Sequence, residues 1–334
     1  MNEEWLIYRG VGEPHDGIDA LPDPPPWRDF DGGPVAVPGA EAAEADSAAA
    51  RRLGAHRHAA ELHRPEPEEL EAVNAALYLR RPLLVTGYPG TGKSTLAHAV
   101  AHELKLGRVL RWPVVSRTVL QEGLYRYDAI ARLQDVQLAG GSGAPAPGIG
   151  KYIRLGPLGT ALLPTGKPRV LLIDELDKSD IDLPNDLLNV LEEGEFALPE
   201  LERVADHEPE VQVLTDDGAK VTVHDGRVRC RAFPFIILTS NGEREFPAAL
   251  LRRCIQLRLG QPGEKRLATM VRAHLGEEAA ELGAELIREF LSRSRTELLA
   301  ADQLLNAIYL THHAAPPSRE DLADLLIQRL DRPR

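Results

Sequence analysis

The run Gly87-Tyr88-Pro89-Gly90-Thr91-Gly92-Lys93-Ser94 satisfies the pattern G-x-x-x-x-G-K-[ST] at every position. Residues of these types at this spacing bind polyphosphate. Gly87, Gly90 and Gly92, with Pro89 and Thr91 between them, let successive backbone N–H groups turn inward as an anion nest. The helix that follows adds partial positive charge at its N-terminus. Lys93 then sets a compact ammonium on the β- and γ-phosphates, and Ser94 offers a hydroxyl to Mg²⁺. The chain holds 7 lysines against 32 arginines, so composition alone favours arginine at position 93. A planar guanidinium fits poorly between phosphates where an ammonium fits well. An ordinary Gly-rich turn is the alternative, and the flanks argue against it. Pro82-Leu83-Leu84-Val85-Thr86 before the run is a buried strand in length and character, and Thr95-Leu96-Ala97-His98-Ala99-Val100-Ala101 after it has helical apolar spacing. Binding of a nucleoside triphosphate is the expectation.

Three further groups turn binding into chemistry. Asp174-Glu175 follows the apolar run Val170-Leu171-Leu172-Ile173, at the carboxyl end of a strand, where open α/β sheets bind ligands. Asp174 is suited to hold Mg²⁺ and Glu175 to polarise an attacking water. Two acids of different role imply hydrolysis rather than storage of the nucleotide. Asn241 ends Ile236-Ile237-Leu238-Thr239-Ser240, and a neutral amide there can hold the lytic water or the γ-phosphate; the alternative is a turn residue before Gly242. Pro247-Ala248-Ala249-Leu250-Leu251-Arg252-Arg253-Cys254 reads as a short helix ending in two arginines. A guanidinium supplied in trans is worth about 10³–10⁵ in rate; solvated surface arginines are the alternative.

These groups need a parallel sheet to position them. Strands are expected at 82–86, 108–112, 170–173 and 235–239, with helices at 67–79 and 182–193. Val211–Thr215 and Lys220–His224 flank Asp217-Gly218, a hairpin signal, and Asp225-Gly226 marks a second turn. The Gly/Ala/Pro stretch 140–148 reads as an exposed insertion. Beyond 262 the pattern is helical, at 263–275, 277–294, 297–313 and 318–330. The fold expected is an α/β P-loop nucleotide-binding domain at 66–260, a parallel sheet with flanking helices, followed by a small all-helical lid domain at 261–334.

Residues 1–65 read as a Pro-rich, acidic, largely disordered N-terminal arm. They contain eight prolines and 12 acids against 6 arginines, half of the net charge of −12. Trp5, Trp27 and Phe30 are unusual in a linker, which leaves open an extended arm docking on this domain or a neighbour. A pI near 5.5 argues against general nucleic-acid binding. Cys230 and Cys254 have neither metal-ligand spacing nor a disulfide framework and read as buried thiols. The start MNEEWLIYRG lacks the marks of a secretory signal, and no apolar run reaches the ~18 residues of a membrane helix. A cytoplasmic protein without membrane contact is expected.

Together GYPGTGKS, LLIDELDKSD, LLNVLEEGEF and ILTSNGEREFPAALLRRC resemble the AAA+ ATPases, and specifically the MoxR group, over roughly 66–330. The resemblance implies that Lys93, Ser94 and Thr95 belong to Walker A and Asp174 with Glu175 to Walker B. It makes Asn241 sensor 1 and Arg253 the arginine finger. Arg252 stands where the finger's LDRF-like box usually has Asp, so either arginine can be the finger. LGPLGTALL at 155–163 is similar to the helix preceding Walker B in this group, and 211–230 looks like its inserted hairpin. The group's sensor-2 arginine is matched here by Asp302, which cannot clamp a phosphate; Arg293 and Arg295 lie just upstream. Tyr125 and Tyr127 lie where these ATPases project loops toward the ring axis, with packing against the sheet as the other reading.

The resemblance implies a Mg²⁺- and ATP-dependent ring oligomer, a hexamer, that remodels a client protein or works with a von Willebrand factor A domain protein. Two alternatives stay open: a slow nucleotide-gated switch in a signalling or conflict system, and a P-loop phosphotransferase. Nothing in the loop reads the base, so GTP stays open beside ATP.

Overall fold

Two apolar runs without polar alternation, Val170–Ile173 and Phe235–Leu238, form the middle of a parallel sheet covered on both faces. They are seen in a computed structural model that describes residues 5–35, 63–142, 147–294 and 301–313. Along the chain, helix α1 (Pro67–Leu79) leads into β1 (Leu83–Gly87), and α2 (Lys93–Glu103) and β2 (Leu110–Pro113) follow. Helix α3 (Leu120–Leu124), β3 (Tyr125–Tyr127), α4 (Ala129–Ser142), β4 (Ile153–Leu155) and α5 (Pro157–Ala161) precede β5 (Val170–Asp174). Next come α6 (Asp182–Glu193), β6 (Glu195–Ala197), α7 (Pro199–Glu202), β7 (Glu210–Leu214), β8 (Lys220–His224) and β9 (Arg227–Arg229). The core ends with β10 (Phe235–Ser240), α8 (Ala248–Arg253) and β11 (Ile255–Leu259), and the helices α9 (Glu264–Leu275), α10 (Glu277–Leu282), α11 (Ala284–Ser294) and α12 (Ala301–His313) follow.

The central sheet is parallel throughout, in the order β11-β1-β10-β5-β2. Successive residues of its strands enter opposite cores. Leu84, Leu171, Ile173, Ile236 and Leu238 pack on one face; Leu83, Val85, Val170, Leu172 and Ile237 pack on the other. β11 was not expected. It adds an edge strand beside β1 through the alternation Ile255-Gln256-Leu257-Arg258-Leu259. A second, mixed sheet runs β3-β4-β7-β8-β9-β6. The expected hairpin is β7–β8, and a two-residue turn at Asp225 (φ 50) and Gly226 (φ 67) joins β8 to β9. Helices α9–α12 enclose a separate apolar cluster that includes Leu267, Val271, Phe290 and Ile308. The expected helix 277–294 is broken at Gly283, and the one expected at 318–330 lies outside the described residues.

Within the segment expected to be a largely disordered arm, residues 5–35 pack on the core; residues 36–62 are not among the described ones. Polar side chains of the core hold the arm's backbone. Asn74 Oδ1 accepts from the N–H of Ile7 (2.7 Å) and Tyr8 (3.0 Å). Buried Glu103 accepts from Arg9, Gly10 and Gly12 at 2.7–3.0 Å. Ile7, Tyr8 and Ile18 join the core, Trp5 meets Tyr78 edge-on, and Phe30 stacks on Phe233. Trp27 faces solvent. Gly32 approaches β9 so closely that a Cβ there would lie 2.0 Å from the Arg229 carbonyl oxygen.

Candidate functional site

Parallel strands with matched ends deliver their tips to one place. β1 and β10 align Thr86 with Ser240, and β10 and β5 align Leu238 with Ile173. Gly87 and Asn241 are therefore level at the strand ends, with Asp174 two residues short of them, beside Thr239. Gly92, at φ 89, turns the chain into α2 and puts Lys93 at the helix start. Buried Lys93 donates from Nζ to the carbonyls of Gly87 (2.7 Å) and Tyr88 (2.9 Å) and to Asn241 Oδ1 (2.8 Å). Burial pushes its ammonium below the ordinary lysine range, and the carboxylates of Asp177, Asp174 and Glu175 work against that shift. Thr91 closes the loop by donating from Oγ1 to the Tyr88 carbonyl at 2.9 Å.

Asp174 accepts at Oδ1 from Ser94 Oγ (2.9 Å) and Thr239 Oγ1 (2.8 Å), and at Oδ2 from Arg111 Nη2 (2.7 Å). Burial alone would raise its pKa, but hydrogen bonds from Thr239, Arg111 and Ser94 outweigh it and hold the carboxyl below the usual range. Glu175 adopts the left-handed conformation (φ 61, ψ 47), and its N–H donates to Thr239 Oγ1 at 2.8 Å. Its half-exposed carboxylate pairs with Lys178 at 2.8 Å.

The structure thus brings Lys93 to Asn241 and Ser94 to Asp174 by hydrogen bonds, with Glu175 next along the chain. It does not bring Arg252 or Arg253 there. β11 runs parallel to β1 with Leu83 opposite Ile255 and Gly87 opposite Leu259, so Arg253 precedes the far end of the strand, about 16 Å or more from its own phosphate loop. Arg253 pairs with Glu192 at 3.0 Å and donates to the Ala249 carbonyl at 3.2 Å; Arg252 is exposed. Tyr125 is buried, stacks on Phe196 and donates to Glu200, while Tyr127 accepts from Arg132, so both are packed into the fold.

Three residues of the site escaped the sequence reading. Arg111 projects from β2, and only its place beside Leu172 in the register reveals its partner. Asp177 is buried two residues beyond Glu175, and its Oδ2 accepts the N–H of Asn241 (2.9 Å) and of Glu243 (3.1 Å) while Oδ1 has no partner. The third is Arg266. Asp302 lies in α12, Arg293 pairs with Glu289, and Arg295 is outside the described residues. From the first turn of α9, Arg266 instead donates to the Thr91 carbonyl (3.2 Å) and pairs with buried Glu69, which also meets His63 Nε2 at 3.2 Å. Burial alone would raise the pKa of Glu69, but His63 and Arg266 hold it low. A cavity of about 370 Å³ opens there, lined by His63, Thr91, Thr95, Arg266, Thr269 and Met270.

Among the described residues no helix is long and apolar enough to cross a membrane. Residues 82–254 match the family model for the AAA domain of the dynein-related subfamily. That span is just over half of the chain and runs from the first strand through the phosphate loop, Asp174-Glu175 and Asn241 to Arg253. A search of curated proteins gives no match.

Proposed function

The chain belongs to the dynein-related subfamily of AAA domains, and from that premise we propose a MoxR-like ATPase that assembles into a ring, a hexamer, and uses ATP hydrolysis to remodel a partner protein. The observation that carries this reading is the bond from Lys93 to Asn241 at 2.8 Å beside Asp174, Ser94 and Glu175. On this reading Lys93 is the phosphate cation, Ser94 and Asp174 the metal-binding pair, Asn241 the water-positioning amide and Glu175 the base.

Lys93 exchanges carbonyl oxygens for phosphate oxygens when ATP enters, which frees the Asn241 amide to orient the attacking water. Ser94 and Asp174, hydroxyl against carboxylate at 2.9 Å, are the oxygen donors a hard cation takes, so they fit Mg²⁺. Mg²⁺ supplies positive charge to the phosphate oxygens. Glu175 accepts the proton of the water as its oxygen bonds to the γ-phosphorus and the bond to ADP breaks. Thr95 and the cavity beside it receive the nucleoside. Arg253, remote from its own loop, serves the site of the next subunit. Such a ring acts on a client, with a von Willebrand factor A domain protein as the partner class.

The test is Glu175→Gln in the full chain. Hydrolysis is expected to fall by at least 100-fold with ATP binding retained, and the variant is expected to co-purify with its partner in ATP. Unchanged turnover would refute the base. Specific activity should also fall on dilution to monomer. The second reading, a slow nucleotide-gated switch, is favoured by the Lys178–Glu175 pair, which occupies the base. Wild-type turnover no faster than that of Glu175→Gln would support it.

A further inference from the structure

Arg28 lies in the N-terminal arm, far along the sequence from anything that touches nucleotide, yet it is only 5% exposed. Its guanidinium donates four hydrogen bonds to three backbone carbonyls. Nε and Nη2 donate to Arg80 at 3.1 and 2.8 Å, Nη2 also to Leu191 at 3.0 Å, and Nη1 to Glu192 at 3.0 Å. The stacked rings of Phe30 and Phe233 lie against it, 5.0 and 4.4 Å from the guanidinium carbon. Arg80 is the C-cap residue of α1, and Leu191 and Glu192 are in the last turn of α6. One cation from the arm therefore caps two helix C-termini at once. There the last carbonyls have no partner within the helix, and the helix dipole favours positive charge.

Both capped ends lead to the same short helix. Glu192, whose backbone oxygen Arg28 holds, takes Arg253 Nε on its carboxylate at 3.0 Å. Arg81, next to the capped Arg80, donates from Nη1 to the Arg252 carbonyl at 3.3 Å. α8 is thus tied, through one side chain and one carbonyl, to the two helix ends that Arg28 joins. These contacts lie toward the end of the sheet opposite the phosphate loop, where β1 and β11 begin, so Arg28 itself has no direct reach to the loop of its own chain.

We infer that the N-terminal arm aims the inter-subunit arginine: Arg28 is a positioning residue that acts through Glu192 on Arg253. This rests on the reading of Arg253 as the group offered to a neighbouring subunit. Arg28 touches no phosphate. It fixes the last turn of α6, that turn fixes the Glu192 carboxylate, and the carboxylate fixes the direction in which the Arg253 guanidinium leaves α8.

A double-mutant cycle in the full-length assembled protein tests it. The variants are Arg28→Lys, Glu192→Gln and Arg253→Ala, with each of the first two also combined with the third. Turnover at saturating ATP and equilibrium binding of a fluorescent ATP analogue are read for all. Arg253→Ala should lower kcat by about 10³-fold or more. Arg28→Lys and Glu192→Gln should each lower it about 10-fold or more, the scale of a misplaced catalytic group, with analogue affinity within about twofold of wild type. Neither should lower it further in the Arg253→Ala background. Glu192→Gln keeps the backbone cap and changes one half-exposed side chain, so it reports even if Arg28→Lys folds poorly. Wild-type kcat in Glu192→Gln beside an inactive Arg253→Ala would overturn the positioning role. So would equal losses with and without Arg253. Wild-type kcat in Arg253→Ala would instead overturn the inter-subunit arginine itself, and the positioning role with it.

Discussion

Replacing Asp177 by alanine should cost the nucleotide-free protein about 2–3 kcal/mol. Asp177 is 3% exposed, and one of its oxygens accepts two backbone N–H groups, from Asn241 at 2.9 Å and Glu243 at 3.1 Å. A hydrogen bond to a charged group contributes about 1.5–3 kcal/mol, and a buried donor left alone costs about 1–3. Glu243 is exposed, so its N–H recovers a water, which puts the sum at the low end of that range. The assay is urea unfolding of Asp177→Ala beside Asp177→Asn. The asparagine keeps an acceptor oxygen for both N–H groups and should lose only about 1 kcal/mol. Lys93 gives a second readout. Asp177 leads the carboxylates that favour its charged form, so both variants should bind a fluorescent ATP analogue with altered affinity. An alanine variant within about 0.5 kcal/mol of wild type would refute the reasoning, since that is the range of substitutions that remove no buried partner.

Burial pushes Cys230 and Cys254 up to about 12. Neither should react with iodoacetamide at pH 8 while the protein is folded, and both should in denaturant. The shift is upward, so the stability these thiols lend is intact below the unfolded thiol pKa and is lost as pH rises above about 9. Arg111→Met should tighten apparent Mg²⁺ affinity about 5- to 10-fold in titrations of nucleotide-analogue binding, because a cation competing for Asp174 is gone; weaker Mg²⁺ binding would count against competition. The same variant should unfold at higher pH on acidification. Asp174 is held below its usual range, so its contribution is present above about pH 4 and lost as pH falls through the folded value, which Arg111 keeps low. Arg266→Ala should weaken ATP-analogue binding about 10-fold and speed amide exchange in α9; unchanged exchange would refute a lid tied to the loop through the Thr91 carbonyl.

The strand tips were legible because their chemistry is local. Val170–Ile173 and Phe235–Leu238 are apolar runs, and the polar residues that matter, Asp174 and Asn241, follow close behind them. Helix α6 was legible from its apolar spacing and from Gly194 at its C-terminus, which adopts φ 65. β11 was missed although Ile255, Leu257 and Leu259 alternate with polar residues, because two arginines and a helix start crowd it on either side. Between a disordered arm and a docked one the sequence does not choose, for a different reason. Asn74 and Glu103 bind the arm's backbone, and neither the length of such a bond nor its partner leaves a periodic trace in either segment. Arg111 and Arg266 depend on register and on helix docking, which only the folded chain specifies.

The three neutral oxygens around Lys93 have a consequence for affinity. An ammonium normally sheds its water when it meets a phosphate, and that loss subtracts from binding. Here the shell is gone before any ligand arrives, replaced by two carbonyls and an amide oxygen at 2.7–2.9 Å. Folding has already borne the dehydration, and burial has lowered the pKa accordingly. An incoming phosphate exchanges like for like, oxygen for oxygen, and gains the charge. The loop already stands where solvent would, and no reorganisation of the ammonium's surroundings is left for the ligand to drive.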